Sequence, residues 1–463
     1  MTDLLDFTIK DLLRAFKEGT LSPSEYWQAV EARIAAFEPE VAALYAYDPE
    51  NARVQAAAST ERWQRGKTRG PLDGIPVTLK ELIATKGTPV PLGTAAVELA
   101  PAAEDAPIAA RMREDGAVVF AKTTCPDYGM LSSGLSSFHP LSRNPWNTTQ
   151  NPGGSSAGAA SAGAAGYGPL HIGTDIGGSV RLPAGWTGLF GFKPSHGRIP
   201  VDPYFVGRCA GPMTRTVEDA AWSMFTLSRP DWRDGTSLPP NEIDWMDLEI
   251  DVKGLRIGVM LDAGCGLPAE PEIKAAVLAA ARRFEEAGAI VTEVAPILTR
   301  DMLDGLDNFW RAKFWGDIAG LSEERRAMIL PYIYQWAAKG AAVTGVEAVD
   351  GFRQTIEMRK AAGKLFCEVD AVLSPTNPIV SYPADWASPT NDPEKPFEHI
   401  AFTVPWNMSE QPAASINCGF SASGMPIGLQ IVGPRFGDML VLRLSKAFES
   451  WTGGVRTWPQ PVS

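Results

Sequence analysis

The sequence predicts an α/β fold in which helices cover both faces of a β-sheet. The clearest evidence is a strand–helix–strand pattern in the second half of the chain: a strand over 255–260, a helix over 272–287 and a strand over 290–294. Gly288 directly follows the helix, where glycine commonly ends one because it tolerates a left-handed backbone. Strands that alternate with helices in this way are typical of α/β sheets.

The N-terminal half contains further elements of the same kind. Two amphipathic helices open the chain, and the second begins at 22–25 (Ser-Pro-Ser-Glu), a capping box with proline in the first helical position. Strands are expected over 74–79, 117–121 and 170–173. A helix is expected over 156–165, and its nearly uniform Ala, Gly and Ser composition favours close packing in the core.

Composition and charge narrow the class of protein. Hydrophobic residues make up 45% of the 463 residues and charged residues 21%, which is ordinary for a globular protein. There is no apolar run of about 18 residues and no basic start of a signal sequence, so we expect a cytoplasmic protein with no membrane partner. The net charge of −12 argues against nucleic acid as a partner. Five scattered cysteines without CxxC spacing are expected to be free thiols.

Three separated motifs contain residues suited to catalysis. They lie at 73–80 (Asp-Gly-Ile-Pro-Val-Thr-Leu-Lys), 153–158 (Gly-Gly-Ser-Ser-Ala-Gly) and 173–181 (Gly-Thr-Asp-Ile-Gly-Gly-Ser-Val-Arg). A serine that follows two glycines, as Ser179 does, can sit on a loop whose bare backbone approaches a substrate closely. Successive backbone N–H groups could converge there on an oxyanion, where one donor is typically worth about 3–4 kcal/mol. The candidate donors are Ile176, Gly177, Gly178 and Ser179.

A serine hydroxyl needs a base to remove its proton. None of the four histidines lies in a recognisable triad pattern, and each is expected to be structural or on the surface. A lysine can serve instead if burial lowers its pKa towards neutrality. Lys80 follows an apolar run and is expected at the end of a buried strand; the alternative is a surface lysine that ends an edge strand. If the segment stays extended, Glu81 should point away from Lys80, because alternate side chains of a strand face opposite sides.

One segment also fits a different catalytic pattern. Residues 154–158 match G-x-S-x-G, the turn that presents the nucleophile in α/β-hydrolases, with Ser156 as the nucleophile. That turn requires a strand directly before the serine, whereas residues 147–153 are polar and dense in turn formers. It also requires an acid and then a histidine downstream, where the histidines are His171, His196 and His399. The pattern is therefore disfavoured.

The order and spacing of the three motifs resemble the amidase signature family of Ser/cis-Ser/Lys hydrolases. In that family the two important serines lie 24 positions apart, as Ser155 and Ser179 do, which selects Ser155 rather than Ser156. The resemblance implies one domain over 1–463, built on a large central mixed β-sheet, and a cis peptide bond between Gly154 and Ser155. It also covers residues 144–147, 191–194, 211–216 and 402–433.

The resemblance further implies roles for the candidate residues. Ser179 is the expected nucleophile that forms an acyl-enzyme, Ser155 the expected proton relay and Lys80 the expected base. Such a protein is an amidase that hydrolyses carbon–nitrogen bonds of linear amides, with no metal and no cofactor. An alternative is a scaffold protein that has lost activity, which the presence of all three residues disfavours.

A motif near the C-terminus bears on the substrate. The A-type subunits of tRNA amidotransferases, which hydrolyse glutamine and resemble this chain, tend to carry an acidic residue three positions before T-x-P-x-N. Here that motif lies at 403–407 and the position holds Ile400, which cannot pair with an ammonium group. We therefore expect a neutral, apolar small molecule: an aryl or alkyl amide, an anilide or a carbamate (urethane). Met130, Ile400 and Trp406 are the candidate pocket residues; a glutaminase subunit is the alternative function, and a homodimer is a possible assembly.

Three segments differ in character from the rest. Residues 227–250 and 381–398 are expected to be loops, the second near the mouth of the pocket. Residues 301–365 are expected to be helical and rich in aromatic side chains. Most of these should pack as a layer on the sheet; the alternative is a cover over the active site in which some line an apolar pocket. The aromatic residues are Phe309, Trp310, Phe314, Trp315, Tyr332, Tyr334 and Trp336.

Overall fold

Eleven strands of the described chain form one β-sheet. The computed structural model describes residues 4–455 and 457–461. Residues 1–3, where a signal sequence would begin, lie outside the described residues. In chain order the strands are β1 (Leu44–Tyr45), β2 (Pro76–Lys80), β3 (Val118–Thr123), β4 (Leu170–Asp175), β5 (Phe190–Lys193), β6 (Cys209–Thr214), β7 (Arg256–Val259), β8 (Ile290–Glu293), β9 (Ala371–Pro375), β10 (Ala413–Phe420) and β11 (Pro426–Val432).

The sheet is mixed. Its spatial order is β1-β3-β2-β4-β6-β5-β10-β11-β9-β7-β8. Strands β3, β2 and β4 run parallel to one another, and so do β9, β7 and β8 towards the other edge. The strands between these two groups pair in antiparallel fashion, from β4 through to β9. The prediction of an α/β fold with a large mixed sheet covered by helices on both faces is confirmed.

Helices surround the sheet along the whole described chain. The α-helices are α1 (Ile9–Glu18), α2 (Pro23–Val41), α3 (Pro49–Gln64), α4 (Pro107–Glu114), α5 (Ala157–Ala165), α6 (Arg181–Thr187), α7 (Val217–Leu227), α8 (Pro271–Glu286), α9 (Arg300–Ile318), α10 (Glu323–Ala327), α11 (Pro331–Ala338), α12 (Gly345–Glu368), α13 (Pro405–Met408) and α14 (Asp438–Thr452). Short 3-10 helices lie at Leu4–Asp6, Asp127–Gly129, Lys339–Ala342 and Glu398–Ile400. No helix among the described residues combines the length and apolar character needed to cross a bilayer.

The local signals in the sequence correspond to observed elements. Helix α2 begins with the predicted capping box: the Glu25 N–H donates to the Ser22 hydroxyl at 3.2 Å, and the Ser22 N–H donates to the Glu25 carboxylate at 2.8 Å. The predicted strand–helix–strand unit is β7, α8 and β8, with the two strands parallel. Gly288 follows α8 with a φ of +100°, a conformation that favours glycine.

Helix α5 needs its small residues because it lies very close to its neighbours. All nine of its residues are buried. At Gly158, a Cβ atom would lie 2.2 Å from the Ala43 carbonyl oxygen and 2.5 Å from the Thr124 nitrogen. A larger residue would therefore push the helix away and displace the Gly-Gly-Ser segment that precedes it.

The two predicted loops and the predicted helical segment are observed. Residues 228–250 contain no helix or strand, and residues 381–397 form a long loop. The segment over 301–365 is helical, with α9, α10, α11 and most of α12. The five cysteines are free thiols, as predicted.

Candidate active site

The parallel pairing of β2 and β4 brings two of the motifs to one edge of the sheet. Val77 pairs with Leu170 and Leu79 with Ile172, so the two strands end side by side. Strand β2 ends at Lys80, and the chain leaves β4 at Asp175. The loop that carries Ser179 therefore begins next to the end of the strand that carries Lys80.

Lys80 is completely buried at the end of β2, as predicted. Its Nζ atom donates a hydrogen bond of 2.7 Å to the Oγ atom of Ser155. Burial lowers the pKa of Lys80 to about 8 from its ordinary value of 10.5, because an ammonium group loses solvation there. A lysine with such a pKa can accept a proton near neutral pH, which ordinary lysines cannot.

The segment that carries Ser155 is held by Asn151. The Asn151 side-chain oxygen accepts hydrogen bonds from the N–H groups of Gly153, at 3.0 Å, and Gly134, at 3.2 Å. The peptide bond between Gly154 and Ser155 is cis. Ser155 lines a cavity together with Ser179, so the two serines predicted to act together lie on the same surface.

Ser156 does not have the surroundings of a nucleophile. Residues 147–156, all of which the structure describes, contain no strand of the sheet. The Ser156 hydroxyl is buried and donates to the Thr174 carbonyl oxygen at 3.2 Å. Its role is to join the start of α5 to β4, and the G-x-S-x-G alternative is wrong.

The loop that carries Ser179 is organised by the buried carboxylate of Asp175. This carboxylate accepts hydrogen bonds from the Gly178 N–H at 2.8 Å and the Val180 N–H at 3.1 Å. It also forms a buried ion pair with Arg181 at 2.9 Å. Burial alone would raise the pKa of Asp175, but Arg181 and the hydrogen bonds outweigh it and hold the pKa well below its usual range.

This arrangement corrects one predicted oxyanion-hole donor. The Gly178 N–H donates to Asp175 and is not free to face a substrate. The N–H groups of Ile176, Gly177 and Ser179 donate to no acceptor in the part of the chain that the structure describes. Gly178 instead serves through its φ of +124°, which lets the loop reverse direction before Ser179.

The T-x-P-x-N motif supports the same loop from the other side. The Thr403 hydroxyl donates to the Gly177 carbonyl oxygen at 2.6 Å. The Asn407 amide donates to the Asp175 carboxylate at 2.8 Å, and the Asn407 carbonyl accepts from Arg181 at 2.6 Å. Arg181 also donates to Gln430 at 2.7 Å. The Ser179 loop is therefore held by a fully buried polar network.

The cavity beside the serines has a volume of about 480 Å³. Ser155, Ser179, Ile176 and Gly177 contribute to its lining. Most of its walls are apolar or aromatic, which suits a ligand with a hydrocarbon body. The apolar and aromatic lining residues are Leu82, Leu92, Tyr128, Met130, Leu131, Ile176, Pro203, Tyr204, Phe205, Trp310, Phe314, Phe397 and Ile400.

Two of the three predicted pocket residues line this cavity. Met130 and Ile400 are among its walls, and Ile400 lies so close to the loop that a Cβ atom on Gly177 would be 3.1 Å from its Cδ1. Trp406 does not line the cavity; it is buried against Phe366 of α12, with ring centroids 6.1 Å apart. The reason is that successive residues of a helix point in different directions, and Asn407 takes the direction that faces Asp175.

Both interpretations of the aromatic helical segment hold for different side chains. Trp310 and Phe314, on α9, line the cavity. Others pack within the helical layer: the ring centroids of Phe309 and Phe352 of α12 are 5.5 Å apart, and those of Trp336 and Phe314 are also 5.5 Å apart. Helix α9 thus forms one wall of the site through a minority of the segment's aromatic residues.

The four histidines have structural contacts, as expected. His171 bonds to Thr78 at 2.8 Å, and His196 to the Phe205 carbonyl oxygen at 3.2 Å. His139 bonds to Glu81 at 3.0 Å. His399 is the one of these four histidines that lines the cavity, where it forms a hydrogen bond of 2.7 Å with the Ser132 hydroxyl. Burial lowers the pKa of His399 to about 3, so its imidazole is neutral at physiological pH.

Glu81 lies in a turn directly after β2, so the prediction for an extended segment does not apply to it. Its carboxylate accepts from the N–H groups of Leu92 and Gly93, at 2.8 and 2.6 Å. Its potential metal-ligating atom and those of Cys125 and His139 all lie within 4.8 Å of one another. Because both oxygens of Glu81 already accept backbone hydrogen bonds, this group is explained as support for the segment that follows Lys80.

Many residues of the site were not among those predicted from the sequence, and Asp175, Arg208 and His399 are three of them. Asp175 lies inside a recognised motif, and its place at the end of a strand before a glycine loop was a usable signal. Arg208 and His399 line the cavity but belong to no motif that marks a pocket. Their contribution depends on how distant parts of the chain meet.

Comparisons with known proteins agree with this geometry. A family model described as Amidase matches residues 25–442. The A-type subunit of the glutamyl-tRNA(Gln) amidotransferase of Chloroflexus aurantiacus is 32% identical over 486 residues, which cover 98% of this chain and 98% of that protein. An acylamidase of Rhodococcus erythropolis is 32% identical over 461 residues, which cover 97% and 95%.

A solved structure is similar over almost the same extent. It is a bacterial aryl acylamidase of the amidase signature enzymes, with a TM-score of 0.89 and 28% identity, covering 96% of this chain and 97% of that one. The family match spans the motifs that contain Lys80, Ser155 and Ser179. The chain therefore belongs to the amidase family, the amidase signature enzymes.

Proposed function

We propose that this protein is an amidase that cleaves apolar amides through an acyl-enzyme on Ser179. The observation that carries the proposal is the 2.7 Å hydrogen bond from Lys80 to Ser155, at a cavity that both Ser155 and Ser179 line. The proposed substrates are small molecules: aryl and alkyl amides, anilides and carbamates. The proposed reaction is hydrolysis of the carbon–nitrogen bond of a linear amide, other than a peptide bond.

In the proposed first half-reaction, neutral Lys80 is the base. The Ser179 Oγ attacks the carbonyl carbon while its proton passes through the Ser155 hydroxyl to the Lys80 nitrogen. As the tetrahedral intermediate collapses, the carbon–nitrogen bond breaks and the proton returns through Ser155 to the leaving amine. The support for this direction of transfer is the pKa of Lys80, which burial lowers to about 8.

In the second half-reaction, water attacks the acyl-enzyme with the same residues as base and relay, and a carboxylic acid leaves. A carbamate would instead form an alkoxycarbonyl enzyme, whose hydrolysis ends in an alcohol and carbon dioxide. The N–H groups of Ile176, Gly177 and Ser179 are the proposed donors to the oxyanion in both steps. Removal of one such donor typically costs about 3–4 kcal/mol of transition-state stabilisation.

The walls of the cavity support the apolar substrate class. Ile400 lies in the lining, and its side chain cannot pair with an ammonium group. A charged amino group buried there without a partner would lose several kcal/mol of solvation. The similarity to an acylamidase of Rhodococcus erythropolis and to a bacterial aryl acylamidase points in the same direction.

The second candidate function is that of a glutamine-hydrolysing A-type subunit of a tRNA amidotransferase. It is favoured by the 32% identity to the Chloroflexus aurantiacus protein over nearly the whole chain. It predicts substantial hydrolysis of glutamine and co-purification with other subunits. Ile400 in the cavity disfavours it, because the expected acidic partner for the glutamine amino group is missing at that position.

A substrate panel separates the two candidates. Purified protein should be given anilides, N-aryl carbamates, aliphatic amides and glutamine, and amine or ammonia release should be measured. We expect kcat/KM for an anilide or N-aryl carbamate to exceed that for glutamine by about a thousandfold or more, the rate equivalent of several kcal/mol. Faster turnover of glutamine than of every anilide and carbamate would reject the apolar-substrate proposal.

The nucleophile can be identified by covalent labelling. A fluorophosphonate should form an adduct on Ser179, located by mass spectrometry of the digested protein. Ser179→Ala should abolish labelling and lower kcat by several orders of magnitude while the protein remains folded. An adduct on Ser155 or Ser156 in the wild-type protein would contradict this assignment.

Ile400 offers a more selective test of the pocket. Ile400→Asp would leave a carboxylate among apolar walls and should weaken anilide cleavage, whereas Ile400→Leu, which keeps the apolar surface, should weaken it far less. The ratio of kcat/KM for an anilide to that for glutamine is the quantity to compare. An unchanged ratio in Ile400→Asp would remove Ile400 from substrate selection.

A further inference from the structure

The charged residues that line the cavity differ in whether the protein supplies them with a partner. Asp175 forms an ion pair with Arg181 and accepts several further hydrogen bonds. Lys313 and Asp317, one turn apart on α9, form an ion pair with each other. Arg208, half-buried in the same lining, has no carboxylate within ion-pair distance in the part of the chain that the structure describes.

Most of the hydrogen-bonding capacity of Arg208 is unused. One terminal nitrogen, Nη1, donates to the carbonyl oxygen of Pro203 at 2.9 Å. No other acceptor contacts the guanidinium among the described residues. A guanidinium has five N–H donors arranged in a planar fork, and that fork matches the two oxygens of a carboxylate. A guanidinium that lines the cavity without an ion-pair partner requires an explanation.

The backbone of Arg208 is held next to the loop that carries the nucleophile. Strands β4 and β6 pair in antiparallel register, with Asp175 opposite Cys209, so Arg208 lies one residue beyond the pair, beside Ile176. On its other side, the Gly207 carbonyl oxygen accepts a hydrogen bond of 3.0 Å from Asn407. The same asparagine that braces the Ser179 loop therefore also fixes the start of this side chain.

Arg208 is also close enough to the proposed base to affect it. Burial is the main cause of the lowered pKa of Lys80, and the positive charge of Arg208 acts in the same direction. The guanidinium thus belongs to the electrostatic surroundings of the reacting groups, not to a distant part of the cavity.

We propose that Arg208 determines specificity by binding a carboxylate carried by the substrate, so that the preferred amide combines an apolar body with one anionic group. This rests on the proposed amidase function and changes the expected charge of its substrate from neutral to a single negative charge. It is compatible with the apolar walls, because Ile400 disfavours an ammonium group but leaves a carboxylate free to meet Arg208. Two positions on the substrate are chemically open to that carboxylate, the acyl part and the amine part.

The test uses two pairs of substrates that differ in charge and hardly in shape. For the acyl part, the anilide of succinic acid is compared with the anilide of levulinic acid, in which a methyl ketone replaces the carboxylate. For the amine part, N-propionyl 4-aminobenzoate is compared with N-propionyl 4-aminoacetophenone. In at least one pair, kcat/KM for the carboxylate should exceed that for the ketone by about 10- to 100-fold, mainly through KM, since hydrogen bonds between charged groups are strong.

The variants assign that preference to one residue. Arg208→Met should bring the carboxylate-to-ketone ratio close to one, and Arg208→Lys should retain part of it because the charge remains. The matched control is Lys360→Met, which removes an exposed cation of α12 that does not line the cavity and should keep the wild-type ratio. A ratio equal to the wild-type value in Arg208→Met, for both substrate pairs, would overturn the proposal.

Binding without turnover separates this proposal from the amidase function itself. In Ser179→Ala protein, calorimetry should give a lower Kd for the carboxylate than for its ketone counterpart, and adding Arg208→Met should remove the difference. Equal Kd values for both pairs in Ser179→Ala would overturn the role of Arg208 even if anilides are cleaved. A lower Kd for the carboxylate that depends on Arg208, without cleavage by the wild-type protein, would support the anion site and reject the proposed reaction.

Discussion

Lys80 and Lys122 lie on adjacent parallel strands, and both are buried. In the register of β2 and β3, Leu79 pairs with Lys122 and Lys80 pairs with Thr123. Burial lowers the pKa of Lys80 to about 8 and that of Lys122 to about 7. Judged by burial and pKa alone, either side chain qualifies as a base near neutral pH.

Their surroundings separate them. Lys80 donates to the Ser155 hydroxyl at the cavity, whereas Lys122 donates to the Ile83 carbonyl oxygen and, at 2.8 Å, to the Thr85 hydroxyl. Because Lys122 pairs with Leu79, it projects from the opposite face of the sheet to Lys80. A lowered pKa therefore does not identify a catalytic base unless its proton has a path to a reacting atom.

The largest expected effect comes from replacing each of the two lysines in turn. Lys80→Met should lower kcat for an anilide by about 10²–10⁴-fold, the usual contribution of general base catalysis. Lys80→Arg should not restore it, because a guanidinium stays protonated. Lys122→Met, the matched control, should retain most of the wild-type turnover. Similar losses in Lys80→Met and Lys122→Met would show that the two sites are not functionally different.

A double-mutant cycle sharpens the same contrast. If Lys80 and Ser155 act as one unit, Ser155→Ala combined with Lys80→Met should be hardly slower than Lys80→Met alone. Ser155→Ala combined with Lys122→Met should instead multiply the two separate effects, since those residues share no contact. The measurement is kcat for the same anilide in all variants. Additive free energies in the Lys80 and Ser155 cycle would contradict a relay between them.

The pH dependence of the reaction should follow Lys80. Lys80 must be neutral to accept a proton, so kcat/KM should rise about tenfold per pH unit below a midpoint near 8 and level off above it. Lys122→Met should leave this midpoint in place. A midpoint that moves in Lys122→Met would mean that the wrong lysine has been assigned. The measurement requires a substrate that does not itself titrate over the range.

The smallest expected effect is that of Lys122 on the pH dependence of the free energy of unfolding. Between pH 7 and 10.5 the lysine at position 122 binds a proton in the unfolded chain but less so in the folded protein, so its contribution to folding becomes more favourable as pH rises. The free energy of unfolding of wild type relative to Lys122→Met should therefore increase with pH, by at most about 1.4 kcal/mol per unit. Denaturant unfolding at several pH values gives this difference. A difference that stays constant with pH would indicate that Lys122 keeps its proton in the folded protein.

The sequence by itself determined those features that are local or that depend on order along the chain. The capping box at Ser22, the glycine after α8 and the strand that ends at Lys80 are each encoded within a few residues. The spacing of Ser155 from Ser179, and the order of the three motifs, identified the family. Such patterns can be recognised from the sequence alone, because helix ends, strand alternation and motif spacing depend on residues close together in the chain or on their order.

Only the tertiary structure decided which of these residues meet, and which atoms remain free. The Gly178 N–H is taken by Asp175, Trp406 faces α12 instead of the cavity, and Arg208 enters the cavity without an anion. The network that holds the Ser179 loop joins Arg181 to Gln430, residues 249 positions apart. The hydrogen-bond partner of a buried group is set by which distant segment packs against it, and no local pattern in the sequence encodes that contact.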